Sequence, residues 1–204
     1  MQAKDMFLKN EKKYFFIFFI IIFFLFPHNI YSEERNKTKI FDYLGSLKNF
    51  SASFLQNDGV NLSEGKVYIG KKRVRAEYIF PTNILIILDK NKAMYYNYEL
   101  EEDEFFDPKN TNAWFFYDIF MNPIFFDDSL IEIKNNELTI VKKGLYNDEQ
   151  SYLIKLYFEK NPLVLRNIEV IINDDILKLS IFNHNYNEEY EKDFFKLINP
   201  KLLN

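Results

Sequence analysis

Residues 63–81, SEGKVYIGKKRVRAEYIFP, alternate in character on a period of two, in two runs joined by a lysine-rich turn. The second run sets Arg73, Arg75 and Glu77 on one parity and Val74, Ala76, Tyr78 and Phe80 on the other. Successive strand residues point to opposite faces, so this pattern makes a half-buried hairpin and not a helix. Further strands are read at 130–134, 137–142, 152–158, 164–172 and 176–182, with KNN and NDD as hairpin signals between neighbours. The run at 84–88, ILIIL, is apolar on both parities and reads as covered on both faces. Residues 93–98 return beside it. FSASFLQ at 50–56 reads as an edge strand, the acidic 99–104 as a solvated edge or loop, and 194–198 as a closing strand.

Two helices stand out. In 37–48, Ile40, Tyr43, Leu44 and Leu47 fall at i, i+3, i+4 and i+7. In 110–121, Trp114, Phe115, Phe116, Ile119 and Phe120 cover more than one stripe, with Asn110 or Asn112 as a cap and Pro123 just past the end. The fold class is therefore mainly β with two or three helices.

Residues 1–32 read as an export signal, with Lys4, Lys9, Lys12 and Lys13 ahead of an apolar run at 14–26, then Pro27 and a polar stretch ending at Ser32. Thirteen apolar residues suit a signal better than a spanning helix, an uncleaved anchor being the alternative. Cleavage after Ser32 leaves residues 33–204 as one domain, large enough to bury roughly 70% of its unfolded surface. It carries 22 basic side chains (26 less four) and 28 acidic ones (30 less two), a net charge of −6. That balance argues against nucleic acid as the main partner. With no cysteine, the core must hold by packing alone, and the chain has no site for an N-terminal lipid.

Catalytic chemistry is hard to find. His184, the one histidine after the signal, sits in the polar stretch NHNYN and reads as solvated. No partner histidine or cysteine is present to hold a metal with it, and no nucleotide-binding or nucleophile motif occurs. Asp127 and Asp128, and Asp174 and Asp175, read as turn acids. The expectation is a protein that is not an enzyme and uses no metal or cofactor.

Three pieces in order resemble the LolA family, periplasmic carriers of outer-membrane lipoproteins. FSASFLQ resembles the family's F-x-A-x-F-x-Q strand, through Phe50, Ala52, Phe54 and Gln56. SEGKVYIGKKRVRAEYIFP resembles its E-G-x-L…R-x-E-Y-x-x-P segment, and LDKNKAMYYNYEL its S-D-G-K…W-x-Y-N-x-x-L turn and strand. The chain departs at the hairpin turn, where Lys71 and Lys72 stand for the family's Arg-Pro or Lys-Pro, and at Asn112-Ala113, which stand for its Thr-Pro.

The resemblance implies an incomplete antiparallel β-barrel enclosing a hydrophobic cavity under a helical lid. It places Val74, Ala76, Tyr78, Phe80, Ile86 and Leu88 on the cavity, Trp114, Phe115, Phe116 and Ile119 on the lid, and Lys71 as the lid clasp. Implied partners are the acyl chains of lipoproteins, an inner-membrane lipoprotein-releasing ABC transporter and an outer-membrane acceptor lipoprotein. The chain would work as a monomer in the periplasm of a Gram-negative cell. The rival readings are another lipid- or glycolipid-binding half-barrel of the periplasm and a small outer-membrane barrel. The latter would need longer, more regular strands.

Overall fold

The structure, a computed structural model, describes residues 28–146 and 150–203. Most of the expected signal, residues 1–27, therefore lies outside the described residues. Lys37–Asn204 form one compact unit, and the sheet and the site lie in it. No described helix is long and apolar enough to cross a membrane. Helix α1, His28–Ser46, runs through the expected cleavage point. Its later turns carry the amphipathic face: Ile40 is fully buried, Tyr43 and Leu44 pack beside it, and Leu47 follows in a 3₁₀ turn.

Eleven strands make one antiparallel sheet. They are β1 Phe50–Asn57, β2 Leu62–Ile69, β3 Val74–Phe80, β4 Ile84–Leu88, β5 Ala93–Asn97, β6 Glu102–Phe106, β7 Leu130–Lys134, β8 Glu137–Tyr146, β9 Gln150–Lys160, β10 Leu163–Ile172 and β11 Asp175–Asn185. Their order is β6-β5-β4-β3-β2-β1-β11-β10-β9-β8-β7, so β6 and β7 are edges that do not meet and the barrel stays incomplete. The acidic β6 is a solvated edge, as its composition implies.

β1 is not an edge strand. It sits at the centre, paired with β2 on one side and β11 on the other. Ser51, on the polar parity of FSASFLQ, is fully buried and donates to Glu188 Oε2 at 2.6 Å.

Strand order also decides where the second helix goes. The chain leaves the sheet at one edge, β6, and re-enters at the other, β7, so residues 107–129 must cross a face. Helix α2, Ala113–Met121, lies in this crossing, and its Phe115 and Ile119 join the main core with residues of β1–β5 and β8–β11. Neither Asn110 nor Asn112 caps it through a side chain; the Thr111 hydroxyl accepts from the Ala113 N–H at 3.3 Å.

The outer face of the sheet holds a second, smaller cluster of Leu85, Ile87, Met94 and Tyr96, with Leu197 against it. ILIIL is thus covered on both faces, as its composition implies. The cover is not a strand. Residues 194–198, expected to close the sheet, form no strand and belong to an irregular strap, residues 188–203, laid across the outer face. Glu188 N–H donates to the Asn49 carbonyl at 2.9 Å, Tyr190 donates to that of Phe50 at 2.6 Å, and Asn199 reaches Asp103 in β6 at 2.7 Å.

The outward arginines of the opening hairpin grip this strap. Arg73 Nη1 donates to the Phe195 carbonyl at 2.7 Å and Nε to Asp89 at 2.7 Å. Arg75 Nη1 donates to the Phe194 carbonyl at 2.5 Å and its guanidinium lies 4.2 Å from the centre of the Phe194 ring. Its Nε also bonds Glu77, which in turn accepts from Tyr68. A guanidinium that is planar and mostly desolvated makes all of these at once, which an ammonium does not. Arg75→Ala is expected to cost about 2 kcal/mol in urea unfolding, from the lost carbonyl bond, the ring contact and a Glu77 left without its cation. Protease cleavage within residues 188–203 should accelerate in the same variant.

Candidate functional site

Between the inner face of the sheet and α2 lies a cavity of about 240 Å³. Strands far apart in the order contribute to it, with β1–β4 on one side and β10 and β11 on the other, so the sheet curls around it. Of the residues expected on the cavity, Val74, Ala76, Tyr78, Ile86 and Leu88 line it. They do so because the inward parities of β3 and β4 are in register: Val74 faces Leu88, Ala76 faces Ile86, and Tyr78 faces Ile84.

Phe80 does not join them. The β2–β3 register shifts between Glu64 and Gly65, so that Gly65 pairs with Tyr78 and Glu64 with Phe80. The extra residue, Ile79, reverses the parity of the strand beyond it. Phe80 is turned outward and is 54% exposed.

The expected lid residues divide between two faces of α2. Phe116 lines the cavity, together with Ala113 and Phe120 at helical spacing. Phe115 and Ile119 are core anchors on the adjoining face, Phe115 meeting the rings of Tyr146 and Tyr152 at 5.4 and 4.9 Å. Trp114 stacks on Tyr146 at 5.8 Å and meets Phe125 edge-on. Tyr146 also donates to the Lys109 carbonyl, which ties β8 to the start of the crossing.

Phe120, which the resemblance does not place on the lid, has the most informative position. It lines the inner cavity and also a second, apolar cleft of about 370 Å³ that opens between α1, α2 and the β2–β3 turn. One aromatic ring therefore stands in the wall between the two apolar spaces. The spacing of Ala113, Phe116 and Phe120 was the available signal. Lys71 borders the outer cleft beside Met121, Asn122 and Pro123, without a hydrogen bond to α2.

The cavity wall carries no charged side chain. Its polar groups are Asn112, Gln56 and Tyr78, and Tyr78 donates to Gln56 Oε1 at 2.9 Å. Burial pushes the Tyr78 phenol up to about 12, so it stays a neutral donor across the physiological range. A wall of this kind favours hydrocarbon and offers no group for acid–base work.

His184 is not in a solvated loop. It is the penultimate residue of β11, half-buried beside Phe50 and Tyr186, with Nε2 2.8 Å from the Leu165 carbonyl, and burial lowers its pKa. Among the described residues, no group of three or more His, Cys, Asp or Glu side chains is placed to hold a metal.

No family model matches the chain, and no curated protein matches it. Solved structures do. A crystal structure of an uncharacterized conserved protein from Thermus thermophilus superposes with a TM-score of 0.50 and 10% identity, over 80% of this chain and 95% of that one. The Pseudomonas aeruginosa MucA/MucB complex gives a TM-score of 0.47 at 9% identity, over 79% of this chain and 60% of that one. MucB by itself gives 0.47 at 8% identity, over 79% and 62%. The first likeness bears on the fold alone. The other two, which this chain spans for about three-fifths of their length, carry no argument about function.

Proposed function

We propose that this chain is a periplasmic carrier of lipoprotein acyl chains, of the LolA kind. The observation that supports the reading is the uncharged hollow between the curled sheet and a helix whose crossing is imposed by strand order. Burial of hydrocarbon supplies about 0.8 kcal/mol per methylene, enough for a short length of acyl chain to hold a cargo in water. At about 240 Å³ the inner space lies below the range of roughly 300–1,000 Å³ usual for ligand sites. Loading therefore requires Phe120 to turn aside or α2 to lift, which joins the hollow to the outer cleft. Those same aromatics refill the space on release, so cargo and lid compete for one surface and delivery needs no nucleotide.

In this reading an inner-membrane lipoprotein-releasing ABC transporter supplies the cargo, and an outer-membrane acceptor lipoprotein takes it by higher affinity. The carrier acts as a monomer and performs no chemistry. The test is to express the chain with its own start in a Gram-negative host, collect the periplasmic fraction and identify what co-purifies by mass analysis. Lipidated protein bound near one per chain is the expected result. A chain recovered free of lipid, which also fails to take up an acylated peptide, would refute the reading.

A further inference from the structure

The outer cleft is apolar along its walls and basic at its rim. Lys48, on the 3₁₀ turn after α1, and Lys71, on the β2–β3 turn, border it, and no acidic residue does. Lys71 and its neighbour Lys72 also border an adjoining polar groove with Arg73, Lys192, Asp89, Glu188 and Glu189. Of those acids, Asp89 is taken by Arg73 at 2.7 Å, and Glu188 accepts from Ser51 and Asn185 at 2.6 Å each. Neither Glu188 nor Glu189 has a cation on it, and Glu188 is satisfied by neutral donors. Lys48, Lys71, Lys72 and Lys192 make no ion pair among the described residues, in a chain whose net charge is −4. Unpaired cations gathered at an apolar cleft of an acidic protein favour a ligand with an anionic end.

We infer that the outer cleft binds a lipid whose phosphate head bears a net negative charge, with the hydrocarbon between α1 and α2 and the head on Lys48, Lys71 and Lys72. This rests on the acyl-chain reading and adds a head-group preference to it. Lysine suits such a contact because it is a compact, strongly hydrated point charge that meets a phosphate from any direction, whereas the planar fork of arginine is best at fixed geometry. On this assignment Lys71 acts on the ligand and not on the lid, in keeping with its having no bond to α2. The contact is solvent-exposed, so it should weaken with salt.

The test compares lysophosphatidylglycerol with lysophosphatidylcholine of the same chain length, below micelle-forming concentrations, followed by emission of the single tryptophan, Trp114. The anionic lipid should bind about tenfold more tightly in low salt. In the K48Q/K71Q variant the two affinities should converge, with that for the zwitterionic lipid unchanged. Equal affinities in the parent chain, or a preference that survives in the variant, would overturn the head-group assignment and leave the acyl-chain reading standing. Failure to bind either lipid by a chain that takes up an acylated peptide would overturn this proposal alone, and failure with the peptide as well would end both. Inorganic phosphate alone is the remaining arm: binding as tight as that of the anionic lipid would make this a free-anion site and refute the proposal.

Discussion

Replacing Ala76 by glutamate is expected to abolish acyl-chain binding while leaving a folded protein. Ala76 is half-buried at the middle of β3, between Val67 of β2 and Ile86 of β4, and its methyl group faces the cavity. A carboxylate there has no cation within the uncharged wall. It must either draw water into the hollow or take up a proton, and both oppose hydrocarbon. We expect at least a thirtyfold loss of affinity for an acylated peptide, about 2 kcal/mol. Because the side chain enters space that is already empty, the thermal midpoint should change by only a few degrees. Burial raises the pKa of the introduced carboxyl, so binding should recover in part as the pH is lowered and the neutral acid forms. Undiminished binding at neutral pH would remove Ala76 from the site and the cavity from the mechanism.

Gly65→Ala is expected to be the most destabilising single-methyl change in the sheet. Gly65 lies in β2 opposite Phe54 of β1 and Tyr78 of β3, and the Phe54 ring occupies the place where its side chain would stand. A Cβ on Gly65 would sit 2.6 Å from Phe54 Cζ and would collide with the backbone oxygen of Glu77. The ring is pinned edge-on against Tyr78 at 5.1 Å, and the carbonyl belongs to the β3 backbone within the sheet. Neither obstacle is the loose end of a flexible side chain. Overpacking of this kind costs about 3 kcal/mol, which for a chain of this size lowers the thermal midpoint by about 10 °C. A melt within two or three degrees of the parent would show that the β2–β3 bulge can absorb the methyl group.

Local pattern carried much of this architecture. Alternation marked most strands, and the Ile40, Tyr43, Leu44, Leu47 spacing marked the buried face of α1. What alternation does not encode is the count of residues on a partner strand. The bulge at Ile79 is such a mismatch, and it alone separates Phe80 from Val74, Ala76 and Tyr78. Sheet order is equally silent in a local window. β1 looked like an edge because its other neighbour, β11, lies more than a hundred residues away and leaves no mark on FSASFLQ. The strap misled for a related reason. Tyr190, Phe194, Phe195 and Leu197 are rich enough in aromatic and apolar surface to suggest a strand, yet their partners are the guanidinium groups and outward apolar side chains of β3–β5. Arg73 and Arg75 were legible as an outward parity but not as clamps.

That strap also sets a timetable. Arg73 and the carbonyl it holds are separated by 122 residues, so strands made early keep Leu85, Ile87, Met94 and Tyr96 bare until residues 188–203 have been synthesised. Contacts of such long sequence separation form slowly, because the intervening loop must close first. A nascent chain therefore remains sticky on that side through most of its elongation, and a holding chaperone would find its foothold there.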